Sequence, residues 1–157
     1  MENMNHKKQD NTVYRKLFFT LIISFIIMYL VMFLNVDEIA HVYISLTRTY
    51  MTLLMVSPMA VLMILMMGNM YHNKKLNSII IGSGISVFIV AFIFLRNQTF
   101  VSDIQYMKAM IPHHSSAIMT SKHAEIKDPE VKILSENIIK SQEEEIKKMK
   151  EKIKELQ

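Results

Sequence analysis

Three apolar runs, each long enough to cross a bilayer as a helix, constrain this chain more than any other feature. They are Leu17 to Leu34, Tyr43 to Met70 and Leu76 to Leu95. A helix rises about 1.5 Å per residue, so about 20 apolar residues cross a hydrocarbon core of about 30 Å. The first run carries only Thr20 and Ser24 as clearly polar residues. A cleaved signal peptide is the competing reading, but the run is long and no small-x-small site precedes Asn35-Val36-Asp37-Glu38. The second run is interrupted by Arg48 and by Ser57-Pro58. It is longer than a bilayer needs, which predicts a tilt or first turns in the headgroup region. Arg48 would then snorkel to the interface beside Tyr43 and Tyr50.

Charge gives this anchor a direction. The N-terminal tail carries Lys7, Lys8, Arg15 and Lys16, and the second connection carries Lys74-Lys75, whereas the connection from Asn35 to Val42 is acidic. The positive-inside rule places the tail and the Lys74-Lys75 loop in the cytoplasm and the C-terminal part outside, with Arg96 pulling weakly the other way. The sequence therefore predicts a cytoplasmic tail (1–16), a three-helix transmembrane anchor (17–96) and an extracytoplasmic domain (97–157), in a multi-pass membrane protein. The net charge is +4 at pH 7. The basic residues flank the apolar runs or alternate with Glu, and no basic patch with interleaved aromatics appears, so nucleic acid is not an expected partner. The bilayer is.

Cysteine is absent and methionine is abundant, with 15 residues. Disulfides, thiolate catalysis and Cys-type zinc or iron–sulfur sites are excluded. Met51, Met55, Met59, Met63 and Met67 recur every four residues, forming a helical ridge that drifts about 40° per step. Packing knobs are the simpler account of that ridge, and a path for soft metal ions is the alternative. Ser78, Gly82 and Ser86 make a small-xxx-small row, with Gly84 beside it, which predicts a close interhelical contact within or between chains.

Beyond Asn97 the pattern changes to two polar helices. Ser102 or Asp103 can cap the first, which should run to about Glu125 with a kink or a fresh start at Pro112. Asp128-Pro129-Glu130 opens the second, which should run nearly to Gln157. On the first helix Met107, Met110 and His114 share a face by their i, i+3, i+7 spacing, and His113 flanks it. On the second, Gln142, Glu145 and Met149 share another. An antiparallel hairpin could bring the two sets together. Thioether and imidazole would favour Cu(I), or Ag(I) as its analogue; imidazole also admits Cu(II), and zinc stays possible. Met119 and His123 could pair, but Met119 lies about 140° round an ideal helix from His114. Ordinary packing of the methionines and solvent-facing histidines is the competing account.

Asp103 with Met107, Met110-Ile-Pro-His-His114, Ala117-Ile118-Met119, Asp128-Pro129 and Gln142-x-x-Glu145-Ile146-x-x-Met149 together resemble the domain of unknown function 305 family of bacteria. The resemblance covers about residues 100 to 153. It implies a ferritin-like, all-helical fold, an association with copper and silver, and a ligand set of Met107, Met110, His113, His114, Met119, Glu145 and Met149. Ser115-Ser116 departs from the acidic or amide residues that many relatives carry there.

The fold class expected is all-α: three transmembrane helices, then a two-helix hairpin able to pair with a second copy as a four-helix bundle. Two helices alone bury their apolar faces poorly, so a homodimer is expected. The function expected is metal sequestration or handover at the outer face of the membrane, with a donor or acceptor protein as a further partner. A non-enzymatic membrane scaffold is the alternative. The Glu-x-x-His pairs of a di-iron oxidase and any nucleophile constellation are missing, so no enzyme is expected.

Overall fold

The computed structural model describes the backbone of residues 2–157 and the side chains of residues 12–157; Lys7 and Lys8 of the tail lie outside the described side chains. Five α-helices follow one another: α1 (Glu2–Val31), α2 (Leu46–Met66), α3 (Lys74–Asn97), α4 (Asp103–His123) and α5 (Pro129–Glu155), with 3-10 turns at Ile39–His41 and Gly68–Met70. No strand occurs among the described residues. Three stretches, Thr12–Val31, Leu46–Met66 and Lys74–Asn97, are long and apolar enough to cross a membrane. The all-α class, with three apolar helices followed by two more, is as the sequence predicts.

The helix ends follow local chemistry. The second apolar helix is shorter at both ends than the span from Tyr43 to Met70. The Ser45 hydroxyl accepts the Arg48 N–H at 3.4 Å and starts α2 there, and the helix gives way to the 3-10 turn at Gly68. The third is longer than Leu76 to Leu95. The Asn73 side chain caps it by accepting the Leu76 N–H at 3.0 Å, and it ends on Gln98 in the left-handed region. The Asp128 carboxylate caps α5 through the Glu130 and Val131 N–H groups.

The chain divides into two compact units. The first joins α1 up to Tyr29 with Thr49–Thr99. Leu17, Ile64 and Tyr71 are buried together there, with Tyr14 and Met63 packed against them. The Tyr14 hydroxyl donates to the Asn77 side chain at 2.7 Å and accepts the Asn73 N–H at 3.2 Å. Of the small residues on α3, Gly84 makes the close contact: a Cβ there would stand 2.9 Å from Val61 Cγ2 and 3.2 Å from the Ser57 carbonyl oxygen. Ser78, Gly82 and Ser86 are exposed instead. Gly84→Val should therefore lower the thermal unfolding midpoint of the full chain in detergent, at a cost of about 1–3 kcal/mol for overpacking. Gly82→Val, whose Cβ meets nothing within 4 Å, should leave it unchanged.

The second unit joins Leu30–Arg48 with Phe100–Gln157. Here α4 and α5 pack as an antiparallel hairpin around Met107, Ile111, Ile118, Ile146 and Ile153, with Tyr43 and Met149 against them. The helix α4 runs through Pro112 without ending, and Pro112 is buried within it. Arg48 is buried as well. Its guanidinium donates to the Met32 carbonyl and lies 4.3 Å from the Phe33 ring centroid, so protein groups take the place of the interfacial water expected for a snorkelling side chain.

Candidate metal centre on the helical hairpin

The hairpin brings part of the expected ligand set together. His114 is buried, and its Nε2 lies 2.7 Å from Glu145 Oε2. The other Glu145 oxygen accepts the Ser141 hydroxyl at 3.2 Å. These two hydrogen bonds, the His114 one first, hold the Glu145 carboxyl below the usual glutamate range. An ionised carboxylate can only accept, so Nε2 is the nitrogen that donates. In a neutral ring the lone pair then sits on Nδ1. That atom is buried and has no hydrogen-bond partner. A buried imidazole steered by a carboxylate, with the opposite nitrogen free, is the arrangement in which histidine ligates metals.

Met107 belongs to the buried hydrophobic cluster between the two helices, and Met149 packs against that cluster from α5. Met110 is half-buried, and His113 is exposed with its ring edge-on to His114 at 6.0 Å between centroids. Met119 is half-buried, and ideal helix geometry sets it about 140° round α4 from His114. His123 turns back on its own helix, Nδ1 lying 2.9 Å from the Met119 carbonyl, and so does not pair with the Met119 sulfur by that nitrogen. Among the described residues no three His, Asp or Glu side chains gather as a metal-binding group. A cation held here would depend on thioethers for its remaining ligands, which suits soft ions and not Mg²⁺ or Ca²⁺.

A second polar cluster was not legible in the sequence. The Ser115 hydroxyl, fully buried, accepts the Asp37 N–H at 2.8 Å and lies 2.9 Å from His41 Nδ1. Ser115 can spend its one proton on His41, leaving the ring's own proton on Nε2, 3.6 Å from Glu38. Asn35 donates to the Ser116 hydroxyl at 2.6 Å, and Lys122 donates to Asp37 at 2.8 Å. The first connection is thus clasped to α4. Partners 74 residues apart leave no trace in periodicity. Hydrogen-bonded in this way, the first connection and the hairpin lie on one side of any bilayer that the three apolar helices cross.

Two expected outcomes follow from the clasp. Ser115→Ala should destabilise the unit by about 1–2 kcal/mol, since it leaves the buried His41 nitrogen and the Asp37 N–H without this partner; chemical denaturation of the full chain measures it. Burial, with Lys150 adding to it and Glu38 and Asp37 opposing, holds His41 below the ordinary imidazole range. The unfolded chain therefore takes up this proton first as pH falls. The contribution is intact above the ordinary imidazole range and is lost as pH drops through it toward the lowered folded value. A His41→Asn chain should lose that part of the pH dependence.

Comparison with known proteins identifies relatives of this chain. Residues 95–153 match the model of a family described as "Domain of unknown function (DUF305)". The chain is also 39% identical over 131 residues to "Uncharacterized protein L153" of Acanthamoeba polyphaga mimivirus, covering 82% of this chain and 84% of that protein. That relative is viral, so it lends no support to a bacterial envelope. No solved structure matches the chain.

Proposed function

This chain belongs to the DUF305 family, and on that premise we propose that it is a membrane-anchored metal-binding protein that sequesters or hands over copper-type ions at the outer face of its membrane. The observation that carries the reading is His114: a buried ring, oriented by Glu145 through Nε2, whose Nδ1 has no partner. Met107 and Met149 in the adjoining core supply thioethers, and Met110 and His113 flank them at the surface. The ion is cargo. Ligand exchange among neutral Met and His side chains moves it without any bond being made or broken in the protein, and no enzymatic step is proposed. Glu145 acts chiefly by aiming the imidazole. Met119 takes no part in this centre.

The orientation proposed is a cytoplasmic N-terminus, three crossings and an extracytoplasmic hairpin. Its supports are the acidic first connection, the basic Lys74-Lys75 loop, and the clasp that needs connection and hairpin on the same side. A homodimer is supported by α5, where Val131 and Leu134 are 47% and 57% exposed at helical spacing with half-buried Ile138. A second copy would cover that strip and complete a four-helix bundle. The same strip favours the scaffold reading, in which a partner helix docks there and metal is irrelevant.

Competition of the full chain with a chromogenic Cu(I) chelator, run beside Zn(II) and Mg(II), separates the two readings. Saturable Cu(I) and Ag(I) uptake with weaker Zn(II) and no Mg(II) binding is expected. Absence of Cu(I) uptake, with association through the α5 strip lost in a Leu134→Asp chain, would favour the scaffold.

A further inference from the structure

The apolar unit contains a space that its own side chains leave unfilled. A groove of about 390 Å³ opens among α1, α2 and α3, walled by hydrocarbon such as Leu17, Leu21, Val56 and Ile80. Protein interiors are packed to the density of organic crystals and leave few voids larger than a water. The groove runs from Tyr14 and Leu76 at one end to Gly84 and Val87 at the other. From Leu76 to Val87 a helix rises about 16 Å, close to half of a hydrocarbon core of about 30 Å. The groove is one leaflet deep.

Its shallow end is marked by charge. Arg15, next to Tyr14, and Lys74 and Lys75, just before Leu76, are exposed and form no ion pair among the described residues. Basic side chains at a membrane surface attract anionic headgroups, and their long apolar stems let the charge reach the interface. Length, apolar walls and a cationic rim therefore coincide at one site. We propose that this groove holds one acyl chain of an anionic phospholipid from the leaflet on the N-terminal side, with the headgroup phosphate drawn to Arg15, Lys74 and Lys75. The inference rests on the membrane-spanning reading of the three apolar helices.

The full chain, exchanged from mixed phosphatidylglycerol and phosphatidylcholine vesicles into mild detergent, tests this by native mass spectrometry. One retained phosphatidylglycerol per chain is expected. Ser83 lines the groove from an exposed position and its hydroxyl bonds only its own helix, at the Ile80 carbonyl, so Ser83→Phe should fill the space without disturbing the packing. That variant should lose both lipids several-fold. Arg15→Gln with Lys74→Gln and Lys75→Gln should keep a bound lipid but lose the preference for phosphatidylglycerol. Val87→Trp is the second filling variant if Ser83→Phe does not fold. Undiminished lipid in both filling variants, or no lipid on the unsubstituted chain, overturns the proposal. So does a changed oligomeric state without lipid loss, which would assign the groove to a helix of a second copy. Release of the chain from vesicles by alkaline carbonate would overturn the membrane reading itself; retention in the vesicles without a bound lipid overturns only the groove.

Discussion

Replacing His114 with leucine is expected to abolish uptake of Cu(I) and Ag(I) by the full chain while leaving its helical content intact. Leucine fills nearly the same buried volume, so the core around Ile111 and Ile118 keeps its packing. The lost hydrogen bond leaves Glu145 half-exposed, where Ser141 and water satisfy it. What disappears is the one buried side-chain nitrogen among the described residues that is left without a hydrogen-bond partner. Glu145→Gln separates ligand from orienting group: its amide oxygen can still accept the Nε2 proton, but the charge is gone. Loss of a partner of this kind costs about 10–100-fold in metal affinity, so Gln should weaken binding where Leu at His114 removes it. His113→Ala, at an exposed position, should fall between these and the unsubstituted chain. Titration with a chelator of known affinity ranks all three.

The second large effect concerns stability. Ile111 and Ile118 are 0% and 1% exposed, on the face of α4 that meets α5. Truncating either to alanine removes buried hydrocarbon and leaves a cavity, at about 2–5 kcal/mol. A hairpin of two helices has a thin core, so a loss of that size is a large part of what holds this unit together. Ile118→Ala should therefore lower its unfolding midpoint sharply and weaken metal binding indirectly. Excess Ag(I) should restore part of the lost stability, because a ligand that binds only the folded form stabilises it by mass action. The His114→Leu chain should show no such rescue. Ile133→Ala, at a side chain 59% exposed, is the control with little expected change.

The fold was legible because its signals are local. Apolar runs of bilayer length, the Asp128-Pro129 start and the seam through Ile139, Ile146 and Ile153 each act within a few residues of chain. Helix ends were displaced where a single side chain decides the matter, as Ser45 and Asn73 do for α2 and α3. Pro112 looked like a break, yet a buried proline inside a packed helix costs one backbone hydrogen bond and no more of the register. Arg48 looked interfacial from its place in an apolar run; the Met32 carbonyl and Phe33 ring that receive it are visible only once the chain folds back.

For the site, spacing identified which side chains share a face, and the His114–Glu145 pair fulfils the register that an antiparallel hairpin allows. It also set Met119 on a different side, against what family resemblance implied. Two things needed three dimensions. One is the division of labour between the two nitrogens of His114, which hydrogen bonding decides. The other is the clasp of Asp37 and His41 on Ser115, formed by residues more than 70 positions apart. That clasp gives the acidic first connection a structural task beyond joining two apolar helices.

X-ray absorption at the copper edge of the full chain loaded with one Cu(I) tests the central claim most directly. The expected spectrum contains both sulfur and imidazole nitrogen in the first shell, and the nitrogen contribution disappears in the His114→Leu chain. A shell of light atoms without sulfur, or a spectrum unchanged by that substitution, would contradict the account.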